Sequence, residues 1–371
     1  MTYSQEDLNN LIAGISGVDR AAMDAAERRQ AELAKPPGSL GRLETLSVQL
    51  AGITGKVCNL TKRKVLLVFC ADNGVVKEGV AGTPQSVTLA QTLNLAHGKT
   101  GAAVLAKRFG CEVCVCDVGV NAEITDPKVI PRKLAFGTSN MADGPAMTRA
   151  QALQAVLTGA DLAYETAQNG ADVIGVGEMG IGNTTTSAAV LAVLTGVAVK
   201  DVTGRGAGLT DEAYAKKIAV IEQAIRKNKP DVADVLDVLS KVGGFDIAAM
   251  CGAFLGAAKA RVPVVIDGFI SAVAALCAVR LCPNVRHYLI PSHASFEKGS
   301  RIVAEALRLE PLFDLQMRLG EGSGCPLAMM LIDAADAVMN DMATFSEAAI
   351  DDGYLEPLKR IDAFSTVEEN K

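Results

Sequence analysis

Three glycine-rich segments hold the side chains from which a reaction could be assembled. In Gly320-Glu321-Gly322-Ser323-Gly324 a carboxylate stands between glycines. A ligand can approach it closely, and partial desolvation would raise its pKa until it takes a proton near neutral pH. A surface turn with an incidental Glu satisfies the same residues. The second segment, Gly175-Val176-Gly177-Glu178-Met179-Gly180-Ile181-Gly182-Asn183-Thr184-Thr185, follows a strand-like run and opens a helix-like one. Backbone N–H groups at a helix start attract phosphate, and glycines let it come close. Gly175, Gly177 and Gly180 also match the dinucleotide pattern G-x-G-x-x-G, with Asp201 near the place of a ribose-binding acid. Against that pattern, Glu178 would set an anion inside a pyrophosphate loop, and the Asn-Thr-Thr run supplies more donors than it needs. A mononucleotide phosphate site, a dinucleotide site and a structural turn all stay open on residue chemistry. The third segment, Gly204-Arg205-Gly206-Ala207-Gly208-Leu209-Thr210-Asp211, is followed by Lys216 and Lys217. Glycine and cations near a helix start again suit an anion. For Lys217 by itself, a solvated lysine face is the simpler reading.

Other polar clusters interrupt the apolar background: Ala71-Asp72-Asn73-Gly74, Thr83-Pro84-Gln85 with Gln91, Gly243-Gly244-Phe245-Asp246, Asp267-Gly268-Phe269, and Ser292-His293-Ala294-Ser295-Phe296-Glu297-Lys298-Gly299. His293 between serines invites a hydrolase reading, but no G-x-S-x-G elbow accompanies it. Cys111, Cys114 and Cys116 look superficially like metal ligands. The stretch CEVCVCDVGV is better read as a buried strand in which Cys and Val are small apolar fillers. With only three histidines, His97, His287 and His293, no His-rich metal site can be built, and no metal is expected.

The elements that must position these loops alternate. Residues 64–72 (KVLLVFCAD), CEVCVCDVG, ADVIGVGE and VPVVIDG are continuous apolar runs ending in an acid with glycine, and HYLIPSH resembles them. Such runs predict strands covered on both faces. Helical stretches lie between them, among them MTRAQALQAVLTGADLAYETAQ and residues 211–228. The alternation predicts an α/β fold with a doubly wound, mostly parallel (Rossmann-like) sheet, whose ligands bind beyond the carboxyl ends of the strands. At the N-terminus two helical stretches run to about Ala34 and stop at Lys35-Pro36-Pro37-Gly38-Ser39; a short helix over 42–53 follows. Residues 327–345 form a strongly helical run, and the tail beyond them is polar.

Composition narrows the function classes. With 36 Lys+Arg against 42 Asp+Glu, and no basic stripe, the net charge of −6 gives nucleic acid or an anionic membrane little to bind. Aromatic residues are 4% and Trp is absent, which does not suit stacking on bases. The polar, acidic N-terminus is unlike a signal peptide, and no apolar run is long enough to span a bilayer, so a cytoplasmic protein is expected.

Taken together, KPPGSLGRLE, ADNGVVKEGV, GVGEMGIGNTTTSAA, GRGAGLTDE, KVGGFDIAAMCGAFLGAA, PVVIDGFISAVAAL, IPSHASFEKG and RLGEGSG resemble, in order and over roughly residues 30–345, the nicotinate-nucleotide–dimethylbenzimidazole phosphoribosyltransferase family. That family makes the lower-ligand nucleotide of cobamides such as vitamin B12. The resemblance implies a parallel-sheet large domain and a small helical domain. On this chain that gives residues 1–35 and 326–371 to the small domain and residues 36–325 to the large one. It implies Glu321 as the catalytic base, assisted by Glu178. Gly180, Asn183, Gly206, Lys217 and Ser295 would hold the nucleotide and its phosphate, and Thr83, Gln91 and Met179 the acceptor base. Nicotinate mononucleotide and an aromatic base are the implied ligands, with no cofactor and no metal, because the donor already carries a cationic pyridinium leaving group. A homodimer is expected, with pairing to an unlike subunit and a phenolic or purine acceptor as the alternatives. Two positions depart from the family's pattern: Asn73 stands where His is common, and Thr83 where Ser or a larger residue is frequent. Both are expected on the acceptor side.

Overall fold

The computed structural model describes residues 3–356. The polar tail expected at the C-terminus lies, from residue 357 on, outside them. Six strands form one sheet: β1 (Lys64–Ala71), β2 (Cys111–Gly119), β3 (Val129–Pro131), β4 (Val173–Met179), β5 (Val264–Ile266) and β6 (Leu289–Pro291). Their order is β3-β2-β1-β4-β5-β6, and every pairing is parallel. The chain runs outward through β1, β2 and β3, then returns to place β4 beside β1. The strand order therefore reverses between β1 and β4, the point at which doubly wound sheets open a crevice beyond their carboxyl ends. Every residue of β1 and β4 is buried, which explains their unbroken apolar sequence.

The strand-like runs of the sequence correspond to β1, β2, β4, β5 and β6. Strand β3 has no counterpart among them. It has three residues and closes on Pro131 at the sheet edge, where a residue without an N–H is tolerated. Helix Arg149–Gln168 begins with a capping box between Thr148 and Gln151, and helix Asp211–Asn228 is capped by the Thr210 hydroxyl. Helix Phe245–Lys259 is almost wholly buried and packs on Arg149–Gln168. A Cβ at Gly252 would run into the Val156 carbonyl, so only glycine permits that helix crossing. None of the described helices is long and apolar enough to cross a membrane.

The chain divides into two compact units. One holds the described residues up to Ser16 together with Arg63–Met329, and so the whole sheet. The other holds Gly17–Lys62 and the described residues from Met330 on. This differs from the boundaries read from the sequence. Helix Gln5–Ala13 belongs with the sheet, because it packs on Arg149–Gln168 and Phe245–Lys259, where Leu8 and Leu11 are buried. Helix Arg42–Thr54 belongs to the smaller unit, where Ala51 packs with Ala22, Ala26 and Met339. Within that unit the KPPGSLGRLE stretch is tied by a buried Lys35–Glu44 ion pair at 2.8 Å. The last long helix, Cys325–Asp341, contributes its first turn to the sheet unit.

Candidate active site

A cavity of about 350 Å³ opens beyond the carboxyl ends of β4, β5 and β6 within the sheet-bearing unit. Thr83, Gln91, Glu178, Met179, Gly180, Asn183, Gly206, Lys217, Ser295 and Glu321 all line it. The volume is in the range of small-molecule sites.

Glu321 is held by its own turn and by the sheet beneath. The backbone is left-handed at Gly320, Glu321 and Gly322, with φ of +82°, +63° and +82°. Left-handed geometry is routine for the glycines and unfavourable for Glu321, a pattern found where a turn must aim a side chain. Strand β4 passes directly under this turn: a Cβ on Gly177 would lie 2.5 Å from the Gly322 nitrogen, and one on Gly175 2.7 Å from Cys325 Cβ. Two of the glycines that imitate a dinucleotide fingerprint are therefore strand residues that let the Glu321 turn settle on the sheet. Asp267, just after β5, completes the support. Its Oδ2 accepts from the Gly322 N–H at 3.0 Å and its Oδ1 from the Gly324 N–H at 2.7 Å.

The Glu321 carboxylate, 5% exposed, accepts a hydrogen bond from Gln91 Nε2 at 3.3 Å. Gln91 is oriented in turn by Asn94, whose Nδ2 donates to its Oε1 at 3.0 Å. The second oxygen, Oε2, is left without a well-formed hydrogen bond. Burial pushes the carboxyl above its ordinary range, while Thr100, the Ala102 N–H and Gln91 pull the other way. The result is an acid poised to exchange a proton with a ligand. Glu178 lies beside it, and its Oε1 accepts from the Glu321 N–H at 3.4 Å. Burial, and then the negative charge of Asp246, push Glu178 up to about 8.

A second cluster forms around Lys217. This side chain is 1% exposed, not on a solvated face, while its neighbour Lys216 is exposed. Lys217 Nζ donates to Thr184 Oγ1 at 2.9 Å. Burial lowers its pKa to about 8, against the opposing pull of the Glu297 carboxylate. Arg205, Gly206, the first residues of helix Asn183–Thr195 and Ser295 complete the wall. A buried cation, a helix start and hydroxyls make an anion site of phosphate size. Glu297 and Arg318 also line the cavity. Glu297 lay in the polar cluster that runs on from Ser295 and Arg318 opens the RLGEGSG stretch, but neither was assigned a ligand role from sequence.

One sequence expectation changes. Asn73, expected on the acceptor side, does not line the cavity. It is fully buried behind the cavity wall, donates to Asp246 Oδ2 at 3.4 Å and accepts from Thr186 Oγ1 at 3.4 Å. The hydrolase reading of His293, which the sequence did not favour, finds no relay: Ser292 is 0% exposed, its hydroxyl donates to the Asp267 carbonyl at 2.7 Å, and it meets His293 at Nδ1, 3.0 Å away, the same ring nitrogen that faces Asp267 Oδ1 at 3.8 Å. Cys111, Cys114 and Cys116 lie along β2 as expected, and burial raises the pKa of each thiol.

A family model described as phosphoribosyltransferase matches residues 15–350. A nicotinate-nucleotide–dimethylbenzimidazole phosphoribosyltransferase of Clostridium tetani is 47% identical over 345 residues, covering 93% of this chain and 95% of the relative. The protein of the same name from Roseiflexus sp. strain RS-1 is 50% identical over 344 residues, covering 92% and 98%. Among solved structures, CobT from Thermus thermophilus superposes with a TM-score of 0.86 at 39% identity, covering 90% of this chain and 100% of that one.

Proposed function

The chain belongs to the nicotinate-nucleotide–dimethylbenzimidazole phosphoribosyltransferase family, and on that footing we propose that it moves the 5-phosphoribosyl group of nicotinate mononucleotide onto dimethylbenzimidazole or a related aromatic base. The products are nicotinate and an α-ribazole 5′-phosphate-type nucleotide. One observation carries the reading: a buried carboxylate with a raised pKa, Glu321, and a phosphate-sized cluster around Lys217 face the same cavity.

In this reading Lys217, Asn183, Gly180, Gly206 and Ser295 hold the nucleotide by its phosphate and ribose. Met179, Thr83 and Gln91 border the aromatic acceptor. The acceptor nitrogen attacks the anomeric carbon from the face opposite the pyridinium. The bond from that carbon to the pyridinium nitrogen breaks, and its electron pair quenches the ring's positive charge. The acceptor's N–H proton passes to Glu321. Displacement from the opposite face turns a β-nucleotide into an α-nucleotide. The leaving group is already cationic, so its departure calls for no proton. Holding two ligands in register in one cavity supplies much of the remaining rate. Glu178 assists beside the base. The reading includes a homodimer in the cytoplasm as the working form, supported by the family resemblance; light scattering against the 38.6 kDa chain mass checks the assembly.

The experiment is to mix the protein with nicotinate mononucleotide and dimethylbenzimidazole and to follow nicotinate release and the new nucleotide. Both products are expected, and neither when one substrate is omitted. Absence of both products at any substrate level would overturn the reading.

A further inference from the structure

Behind Asn183 and Glu178 in the cavity wall lies a buried acid, Asp246, to which the reaction above gives no role. Asp246, in the first turn of helix Phe245–Lys259, is 0% exposed. Its Oδ2 accepts from Asn183 Nδ2 at 3.1 Å and from Asn73 Nδ2 at 3.4 Å, and its Oδ1 from the Ile247 N–H at 3.0 Å. Asn183 Nδ2 also donates to Glu178 Oε2. One side-chain amide thus bridges two carboxylates, and both of its hydrogens are committed. The fit is tight: a Cβ on Gly180 would lie 2.7 Å from Asp246 Oδ2, and one on Gly320 2.5 Å from Glu178 Oε1. Among the described residues no Lys, Arg or His is hydrogen-bonded to either carboxylate. The donors are neutral amides and backbone N–H groups.

Two buried carboxylates joined through one neutral donor cannot both ionise cheaply. We propose that Asp246 is a positioning residue for the transfer: through the shared Asn183 amide it holds Glu178 in one orientation at the cavity and keeps a single proton on the Glu178–Asp246 pair, leaving Glu321 as the anionic base of the site. The proton sits on Glu178. Asp246 has three N–H donors to stabilise its charge. Glu178 faces the negative charges of Asp246 and Asp267, with Asn183 and the Glu321 N–H as its donors. Burial raises both acids, Glu178 to about 8 and Asp246 to about 6, which orders the pair the same way.

This inference rests on the transferase reading for its consequence in turnover, but the proton itself is observable without any substrate. Infrared titration in D₂O is expected to show a buried carboxylic-acid C=O band in the wild-type protein at neutral pH. The band should vanish in Glu178→Gln, and in Asp246→Asn it should titrate at a pH lower by about one unit. In turnover, Asp246→Ala should lower kcat about tenfold or more, and Asp246→Asn should recover part of the loss. A wild-type protein without the band, a band indifferent to Asp246→Asn, or an Asp246→Ala protein with unchanged kcat would each overturn the proposal. If Asp246→Ala does not fold, the infrared titrations of the wild type and Asp246→Asn still decide. A wild-type protein that shows the band but releases no nicotinate would sink the transferase reading and leave the shared proton standing.

Discussion

Asp267→Ala separates the aiming of the base from the binding of the nucleotide. The carboxylate accepts the Gly322 and Gly324 N–H groups at 3.0 and 2.7 Å, one on each side of Ser323 and both close to Glu321 in the chain. Hydrogen bonds to a charged acceptor are worth roughly 1.5–3 kcal/mol each. Removing the side chain also relieves the burial that raises its own pKa, which offsets part of that loss. The net loss of stability is therefore expected near the low end, about 2 kcal/mol. The larger effect falls on chemistry. Glu321 sits at φ +63°, a strained value for a residue with a side chain, and the clamp is what opposes its relaxation. A displacement of about 1 Å in a reacting group lowers rate on the order of 10²-fold. The Lys217 cluster is untouched, so the KM for nicotinate mononucleotide should change by less than about threefold. Steady-state nicotinate release, with the nucleotide varied at saturating base, separates the two parameters, and a thermal melt gives the stability. Asp267→Asn, which keeps one acceptor oxygen, should fall between. An Asp267→Ala protein with a kcat within about threefold of wild type would refute the aiming role.

Two further outcomes follow from the same geometry. Lys217 stands at about 8 because burial disfavours its charge, and a phosphate dianion favours it, so nucleotide binding should take up protons near pH 8 and weaken as pH rises above it. Calorimetry in buffers of differing ionisation enthalpy measures that uptake, which should disappear in Lys217→Met. Gly177→Ala would drive a methyl to 2.5 Å from the Gly322 nitrogen, so it should cost about 1–3 kcal/mol in chemical denaturation and lower kcat more than it alters nucleotide binding.

The sheet was legible because its strands are buried on both faces and so read as unbroken apolar runs, each ending at the edge where ligands bind. Helix Asp211–Asn228 was legible to the residue, since Thr210 caps it and Asn228 ends its periodic pattern. Strand β3 was not, because three residues ending in proline carry no period. The glycine loops marked part of the cavity wall, and the family resemblance added Thr83, Gln91 and Ser295, so that every named ligand residue borders it. What residue types hid was tertiary. Lys216 and Lys217 are identical in chemistry, and only packing of the helix buries the second. Gly175 and Gly177 look like a phosphate loop, yet their use is to admit the Glu321 turn onto β4. Asp246 and Asp267 were visible as acids in glycine-containing clusters, but the Asn73 and Asn183 amides and the Gly322 and Gly324 N–H groups they hold come from segments far away in sequence. Asn73 was placed by resemblance on the acceptor side, and only its hydrogen bonds to Asp246 and Thr186 set it behind the wall.

The most direct measurement is turnover of nicotinate mononucleotide and dimethylbenzimidazole by Glu321→Gln. The amide keeps the size of the side chain and an acceptor for Gln91 Nε2, so nucleotide affinity should hold within about threefold. Without a group to take the acceptor's proton, kcat should fall on the order of 10²–10⁴-fold. A Glu321→Gln protein that releases nicotinate at the wild-type rate would contradict the assignment of the base.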